Sequence, residues 1–341
     1  MSRRSLTIAA VIFISSFILA SQLKPAQAPL TIITVTTDKS VYNVGETVLI
    51  RGNLTFNNAP VSGALVALQV NDRVLPYIFR TLYTGSTPPS GPWKLEITNV
   101  YIGDSMGNPV NSVKRGSNCY IWIYYQNISN ETLNVSIAFT IYDVNQVPLF
   151  AEIPFTYSVP PGKDYFVSYV WNVPSDAALG NATLYVSAFR AFPEDGGTPH
   201  CPEKSKEFTI TASTATATQI CTNQSIRILS TEGSYDSSFR FPKKGATRLG
   251  NYTIYVASYY IFKATSTTKF EVILLGDIYI DGGTGQIAKV DGKDYILLIK
   301  AIGSYPGHPN WNPRADLNKD GVVDGKDFVL IIKNIGNTAI Y

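Results

Sequence analysis

The sequence predicts a mainly β protein, in which immunoglobulin-like β-sandwich domains are followed by a small α-helical domain. Tyr, Val, Ile and Thr are frequent along the 341 residues, and these residues suit pleated, half-buried strands. The 25 Gly and 20 Pro are spread along the chain, which indicates short turns between the strands. At about 150 residues per domain, the length predicts two or three domains.

The first 28 residues have the features of an export signal. Arg3 and Arg4 form a basic start, Leu6–Ala20 is a short apolar run, and Ala26-Gln27-Ala28 is an A-x-A cleavage site. Pro29 follows that site directly, which leaves another cut position open, and an uncleaved membrane anchor is the alternative. Seven sequons independently favour a secreted or surface-attached glycoprotein; their acceptors are Asn53, Asn127, Asn130, Asn134, Asn181, Asn223 and Asn251.

Charge and cysteine content narrow the class of protein further. The formal net charge is +3 and no run of Lys or Arg resembles a nucleic-acid-binding patch, so nucleic acid is not an expected partner. An exported chain can form disulfides, and Cys119, Cys201 and Cys221 allow one bridge in three pairings. We favour Cys119 with Cys201 because both fall in one predicted domain, and Cys201 with Cys221 is the second choice.

Residues 30–85 predict the front half of an immunoglobulin-like sandwich. Val41-Tyr42 ends a strand before a turn at 43–45, and alternating residues then predict strands over 47–51, 54–56 and 64–70. Lys39–Val48 follows the pattern K-x-x-Y-x-x-G-E-x-V. This pattern resembles the opening of such domains in macroglobulin-type and bacterial surface proteins.

A Pro- and Gly-rich linker at 84–92 precedes a second predicted sandwich over 93–211. Its strands are predicted over 94–100, 118–125, 133–142, 165–171, 182–189 and 206–211. The segments Tyr120–Ile123 and Val167–Pro174 resemble cell-adhesion-related immunoglobulin-like domains of bacterial and archaeal surfaces. We expect Trp122 and Trp171, which have apolar neighbours, to pack in the core.

A Thr- and Ala-rich linker at 212–219 precedes a third β segment over 220–275, with strands over 238–242, 249–256 and 268–272. Leu179–Val186 is repeated as Leu249–Val256 at an offset of 70, so 220–275 resembles the back half of a sandwich. One hypothesis joins 30–85 and 220–275 in one sandwich, with 93–211 inserted at a loop. The alternative is three consecutive domains.

Asp316–Asp327 has the ligand spacing of an EF-hand calcium loop. Calcium takes six to eight oxygen ligands, and oxygen-bearing side chains occupy loop positions 1, 3, 5, 9 and 12. Gly321 at position 6 permits the sharp turn, and position 7 offers only its carbonyl. The predicted Ca²⁺ ligands are Asp316, Asn318, Asp320, Val322, Asp324 and Asp327.

The loop belongs to a second internal repeat, over 276–341. Asp291–Gly303 matches Asp324–Gly336 at an offset of 33, and each copy runs from a loop into a short apolar helix that ends at Gly. The first loop has Tyr279 at position 3 and six extra residues. Its carboxylates can still surround an ion, more weakly than the second loop; they are Asp277, Asp281, Asp291 and Asp294.

Two tandem loop-helix units at the end of a secreted chain resemble a dockerin. Gly276-Asp277-Ile278 and the loop Asp316–Asp327 carry the resemblance. It implies calcium-dependent docking onto a cohesin-type domain. The partner contacts implied are the helix lysines and loop positions 10 and 11, namely Lys300, Lys333, Gly292, Lys293, Gly325 and Lys326. Packing of the module on its own preceding β-sandwich is the alternative role.

No catalytic motif is present, and His200 and His308 have no nucleophile or metal-ligand partner at useful spacing. We therefore expect a non-catalytic, calcium-binding, secreted or cell-surface protein that mediates assembly or adhesion through its C-terminal module. The alternative is a carbohydrate-binding or accessory component of an extracellular complex for polysaccharide catabolism, which would use exposed aromatic residues. A hydrolase with paired carboxylates is a third hypothesis.

Overall fold

The computed structural model describes residues 29–212, 231–245, 247–280 and 282–341. The predicted export signal, most of the Thr/Ala linker, Cys221, Asn223 and Asp281 lie outside these residues. Mainly β structure with two short helices near the C-terminus confirms the predicted fold class.

The strands fall into three groups along the chain. The first group is β1 (Thr31–Ile33), β2 (Thr36–Thr37), β3 (Val41–Asn43), β4 (Thr47–Phe56), β5 (Ala59–Pro60), β6 (Leu65–Asn71) and β7 (Pro76–Tyr83). The second is β8 (Leu95–Gly103), β9 (Ser112–Lys114), β10 (Asn118–Asn127), β11 (Leu133–Tyr142), β12 (Pro148–Val159), β13 (Asp164–Asn172), β14 (Gly180–Phe189) and β15 (Lys204–Thr211). The third is β16 (Ser234–Arg240), β17 (Gly250–Tyr259), β18 (Lys263–Ile273), β19 (Ile287–Lys289), the helices α1 (Gly292–Ala301) and α2 (Gly325–Asn334), and β20 (Thr338–Ile340).

Strands of the first and third groups share both sheets of one sandwich, here called the outer sandwich. In one sheet β4 pairs with β16, and in the other β6 pairs with β17 while β3 runs parallel to β18. The second sheet has the order β3-β18-β17-β6-β7. The chain therefore leaves the outer sandwich after β7 and returns to it at β16.

Buried and exposed residues alternate along the strands, and the buried ones form the core between these two sheets. On β4, Val48, Ile50 and Leu54 are buried, whereas Arg51 and Asn53 are exposed. This period of two is what a strand with one face on the core requires.

The second group forms the inner sandwich. The sheet β13-β10-β8 faces the sheet β12-β11-β14-β15-β9. Ile121 and Ile123 of β10 pack in one buried cluster with Val135 and Ile137 of β11. Trp171 is buried there as expected. The core position expected for Trp122 is wrong, because Ile121 and Ile123 point inward and the alternation places Trp122 on the outer face of β10.

The two sandwiches are joined along β7. Thr140 Oγ1 accepts a hydrogen bond from the Phe79 amide at 2.8 Å and donates one to the Phe79 carbonyl at 2.9 Å. Arg80 forms a half-buried ion pair with Glu203 at 2.6 Å, and its guanidinium lies 3.7 Å from the centre of the Tyr185 ring. These contacts use the sheet that contains β11 and β14, so the outer face of the sheet β13-β10-β8 is directed away from the junction.

The C-terminal module, residues 276–341, packs on the outer sandwich. Its buried residues Ile278, Val290 and Ile331 belong to the same apolar cluster as the sandwich core. Asn43 donates a hydrogen bond to the Asn334 side chain at 2.6 Å, and the Ile340 amide donates to the Thr247 carbonyl at 2.8 Å. The module is therefore continuous with the sandwich that precedes it.

The predicted bridge between Cys119 and Cys201 is wrong, because both are buried free thiols. Cys119 lies on β10 and its Sγ contacts the Trp171 carbonyl at 3.7 Å, while Cys201 lies between β14 and β15. The Cys119 thiol thus contacts a backbone carbonyl and is not bonded to the sulfur of Cys201. Burial raises the pKa of each to about 12, which keeps both protonated. The pairing with Cys221 lies outside the described residues.

Candidate metal centre

The first half of the loop Asp316–Asp327 turns its side chains onto its own backbone. The two carboxylate oxygens of Asp316 accept hydrogen bonds from the amides of Asp320, at 3.2 Å, and Gly321, at 2.9 Å. Asn318 Oδ1 accepts from the Asp320 amide at 2.9 Å, and Asp320 Oδ1 accepts from the Val322 amide at 3.1 Å. Gly321 has φ +87°, a left-handed conformation that favours glycine. The three predicted ligands at positions 1, 3 and 5 are therefore brought to one small turn.

The second half of the loop is closed by Asp327, which is fully buried. Its Oδ1 accepts hydrogen bonds from the amides of Leu317, at 2.8 Å, and Asn318, at 3.1 Å. Its Oδ2 accepts from the Asp324 amide at 2.8 Å. Asp324 is the N-cap of α2 and accepts from the Lys326 amide at 2.7 Å. One carboxylate thus ties the start of the loop to the start of the helix.

The first loop has the same closure. Asp294 is fully buried and accepts hydrogen bonds from the amides of Ile278, at 2.8 Å, and Tyr279, at 2.7 Å. Its other oxygen accepts from the Asp291 amide at 2.8 Å. In the first loop Ile278 and its acceptor Asp294 are 16 positions apart, whereas in the second loop Leu317 and its acceptor Asp327 are 10 apart. The first loop therefore contains six extra residues between these two points. Asp277 consequently corresponds to Asp316.

The residues at loop positions 1, 3 and 5, here called the entrance of a loop, differ between the two loops. The Asp277 carboxylate accepts a hydrogen bond from the Tyr341 hydroxyl, which comes from the other end of the module. Tyr279, at position 3, is exposed, and the Lys293 ammonium lies 4.9 Å from the centre of its ring. Asp281 lies outside the described residues. The structure therefore places three of the four predicted ligands of this loop, and Asp277 is already engaged.

The two repeats are joined by matched backbone pairs. The Gly303 amide donates to the Val323 carbonyl at 2.8 Å, and the Val323 amide donates to the Ser304 carbonyl at 3.0 Å. In the other direction, the Gly336 amide donates to the Val290 carbonyl at 2.9 Å, and the Val290 amide donates to the Asn337 carbonyl at 3.1 Å. Gly303 and Gly336 end the helices with φ +81° and +83°. The module therefore has approximate two-fold symmetry.

The donor set of the second loop fits calcium, which prefers oxygen ligands. Each carboxylate offers about four acceptor sites, so an oxygen that accepts one amide, as each oxygen of Asp316 does, still has a lone pair for an ion. Asp327 Oδ1 already accepts two amides, so only Asp327 Oδ2 has a lone pair left for an ion. The Lys326 ammonium contacts Asp320 at 2.8 Å and lies 4.0 Å from Asp324, which puts positive charge between two predicted ligands. The hydrogen bond from Lys326 lowers the pKa of Asp320. Across 29–212, 231–245, 247–280 and 282–341, no three His, Cys, Asp or Glu side chains converge closely enough to enclose an ion.

The residues predicted to contact a partner lie on the outside of the module. Gly292, Lys293 and Lys300 are exposed, as are their counterparts Gly325, Lys326 and Lys333. The sequence reasoning missed the apolar residues beside the helix lysines. These occur in matched pairs that are all 43 to 53% exposed, namely Ile296 with Val329, Ile299 with Ile332, and Ile302 with Ile335. The 33-residue repeat could have predicted these matched pairs, because the two members of each pair are 33 positions apart.

The predicted glycosylation sites differ in their exposure to solvent. The Asn127 side chain is fully buried and donates to the carbonyls of Glu131 and Val159, both at 2.8 Å, so its prediction as an acceptor is wrong. It caps the turn after β10 instead. Asn223 lies outside the described residues. The exposed acceptors are Asn53, Asn130, Asn134, Asn181 and Asn251.

His200 is buried, and its Nε2 lies 2.8 Å from the Asn134 carbonyl. Burial lowers its pKa to about 4, so the imidazole is neutral at neutral pH. This contact gives His200 a structural role in the inner sandwich.

Comparison with known proteins agrees with this geometry. Residues 288–336 match the family model of the dockerin type I domain, so the C-terminal module is dockerin-like. No curated protein matches the chain.

Among solved structures, three similar chains are the following. An alkylpurine DNA glycosylase, AlkC, from Pseudomonas fluorescens has 10% identity and a TM-score of 0.28, over 36% of this chain and 32% of that chain. The C-terminal domain of wzt has 15% identity and a TM-score of 0.31, over 42% of this chain and 92% of that chain. A Niemann-Pick type C2 protein from the Japanese carpenter ant has 11% identity and a TM-score of 0.27, over 36% of this chain and 96% of that chain.

Proposed function

We propose that this chain is a secreted, non-catalytic protein whose dockerin-like module binds calcium and attaches the two sandwiches to a cohesin-type domain. The observation that carries the proposal is the pair of matched helix faces on a module that matches the dockerin type I family. Both faces are exposed, whereas Ile278, Val290 and Ile331 of the same module are buried in the cluster shared with the outer sandwich.

Calcium is assigned to the second loop, through Asp316, Asn318 and Asp320 together with the Val322 carbonyl, Asp324 and Asp327. A bound ion would supply positive charge that offsets the repulsion between these carboxylates. The buried Asp327 keeps the loop closed and positions the start of α2. The first loop is assigned weaker binding, because Tyr279 offers no good ligand and Asp277 accepts a hydrogen bond from Tyr341.

The docking surface is assigned to the outward faces of α1 and α2. It consists of Ile296, Ile299 and Lys300 of α1 with the C-cap Ile302, and of Val329, Ile332 and Lys333 of α2 with the C-cap Ile335. Aliphatic residues exposed side by side on a folded module mark a protein-protein contact, since their burial by a partner is favourable. The matching faces imply that a partner binds either one.

The contacts of the module with its own sandwich support a rigid connection. Val44 and Val290 lie in one cluster, and Asn43 bonds both to Asn334 and to the Leu275 amide, the latter at 2.8 Å. The pairings of β4 with β16 and of β6 with β17 support the insertion of 93–211 into a discontinuous sandwich. A partner bound at the helix faces would thus hold both sandwiches in a fixed orientation.

Secretion is proposed from the predicted export signal at 1–28 and from five exposed sequon asparagines. Calcium is generally abundant outside cells, which makes the ion a permanent structural element.

The helices of the described ranges are too short or too polar to cross a membrane.

Capture of the full chain on a panel of immobilised cohesin-type domains tests the proposal. We expect capture in calcium and its loss in chelator or in the Asp316→Ala/Asp320→Ala variant. Ile299→Asp or Ile332→Asp alone should retain capture, because one face remains, and the double variant should lose it. Ile287→Asp is the matched control, since Ile287 is an exposed isoleucine of the same module that lies on β19 and on neither helix. Capture that is unchanged by chelator and by the double variant would overturn the proposal.

A further inference from the structure

The outer face of the sheet β13-β10-β8 is covered by aromatic side chains. These are Tyr101 of β8, Tyr120, Trp122 and Tyr124 of β10, and Phe166 of β13. They alternate with residues that are buried in the core, such as Ile102, Ile121 and Val167, so all five point outward. Phe166 is 59% exposed. We call this surface the aromatic face.

Four of the rings form a closed group of nearly parallel planes. Tyr101 and Trp122 lie 6.4 Å apart between ring centres at 13°, and Tyr101 and Tyr124 lie 6.0 Å apart at 19°. Phe166 completes the group, 6.0 Å from Trp122 at 25° and 5.7 Å from Tyr124 at 27°. The strand register explains the grouping, because Trp122 is opposite Tyr101 and Tyr124 is opposite Phe166.

The backbone holds these rings in place. The Trp122 indole lies over two glycines, since a Cβ at Gly103 would be 3.0 Å from its Cδ1 and one at Gly107 would be 3.6 Å from its Cζ2. Its Nε1 donates to the Asp104 carbonyl at 3.3 Å. The Tyr101 hydroxyl donates to the Gly107 carbonyl at 3.1 Å and lies 3.2 Å from the Tyr124 hydroxyl. The rings are therefore preorganised, which lowers the entropy lost when a ligand binds.

The strands that form the aromatic face are uncharged at their centre. Lys94 and Lys163 flank β8 and β13 at one end, and the Lys204 ammonium donates to the Thr98 carbonyl of β8 at 2.5 Å. Strands β8, β10 and β13 contain no Lys or Arg, and their acidic residues, Glu96 and Asp164, lie at one end. At the other end, the Asn172 side chain donates to that of Asn118 at 3.0 Å. Hydroxyls and amides at the edge of an apolar, uncharged centre do not suit an anionic partner, such as a nucleic acid or an acidic lipid surface.

From this chemistry we propose that the aromatic face binds a neutral polysaccharide. A pyranose ring presents a face of C–H groups that packs on an aromatic ring, and its hydroxyls hydrogen-bond to amide and hydroxyl groups at the edge. Nearly parallel rings about 6 Å apart offer a continuous surface to successive parts of a sugar chain. The face is directed away from the junction with the outer sandwich, so a polysaccharide bound there leaves the helix faces of the module open.

Affinity electrophoresis of the full chain tests this proposal, with soluble xylan, mannan, mixed-linkage glucan and starch as probes. We expect at least one of these polysaccharides to retard the chain. Phe166→Ala should weaken that binding about tenfold, because one stacking surface is lost, and Trp122→Ala should weaken it further. Phe166 is exposed and packs on the rings of Trp122 and Tyr124, so its variant keeps the proposal testable if Trp122→Ala fails to fold.

Two controls separate this proposal from its competitors. Tyr260→Ala removes a 47% exposed aromatic ring from the outer sandwich and should leave binding unchanged. Chelator should also leave it unchanged, so the outcome is independent of the calcium module. Absence of retardation by every probe, or equal binding by Phe166→Ala and the native chain, would overturn the proposal. So would sedimentation that shows a dimer dissociated by Phe166→Ala, which would assign the face to a second copy of the chain.

Discussion

The two loops of the C-terminal module share their closure but differ at their entrance. In both, a buried aspartate at position 12 accepts the same three backbone amides, and a valine at position 8 pairs with the end of the opposite helix. The second loop adds Asp316, Asn318 and Asp320 on one turn, whereas the first has Tyr279 and an Asp277 bonded to Tyr341. The position-12 carboxylate therefore supports the fold of both repeats, and under the proposed function the residues at positions 1, 3 and 5 determine which repeat binds calcium more tightly.

Removing the entrance carboxylates should give the largest difference in calcium affinity between the two loops. Asp316→Ala/Asp320→Ala takes two anionic ligands from the second loop, so we expect calcium affinity to fall by about two orders of magnitude. Asp277→Ala in the first loop should change the tightest calcium affinity less than about twofold. Isothermal titration calorimetry of the full chain measures both. A large loss with Asp277→Ala would show that the first loop is the stronger site.

In the absence of metal, the two position-12 aspartates should contribute equally to the local stability of their loops. Asp294→Ala and Asp327→Ala each leave three backbone amides without their acceptor, so each should destabilise its loop by about 3 kcal/mol in chelator. Hydrogen exchange at residues 277–279 and 316–318 measures the loss locally. Calcium should protect 316–318 in the Asp294→Ala variant but not in Asp327→Ala. Normal protection of either loop in its own variant would contradict the shared closure.

Two glycines offer a matched test of the turn. Gly321 has φ +87°, so Gly321→Ala should cost about 1 kcal/mol in strain and weaken calcium binding several-fold. Gly283, in the insertion of the first loop, has open space around its Cα, so Gly283→Ala should be neutral for calcium affinity. Equal calcium titrations for these variants would show that the second loop does not need its left-handed residue.

Tyr341→Phe should have the smallest effect of this series. It removes the hydroxyl that bonds Asp277 but keeps the ring, so the first loop should lose about 1 kcal/mol of local stability. Exchange at residues 277–290 should increase, and the calcium affinity of the second loop should be unchanged. Unaltered exchange there would mean that the hydrogen bond contributes nothing to the first loop.

The sequence predicted the repeat and its loop positions because these depend on local spacing. The Asp277–Tyr341 hydrogen bond had no local signal, since the two residues are 64 positions apart. Strand β12 was missed because Pro148 and Pro154 argue against a strand; β12 is at the edge of its sheet, where Pro is tolerated. The aromatic face was missed because alternation shows that residues share a side of a strand but does not show which side is the core.

The most direct test of the assigned calcium site is anomalous diffraction from crystals of the full chain grown in calcium. We predict one strong peak enclosed by Asp316, Asn318 and Asp320, with lower occupancy or no peak beside Asp277. Equal peaks in both loops, or a peak beside Asp277 alone, would contradict it.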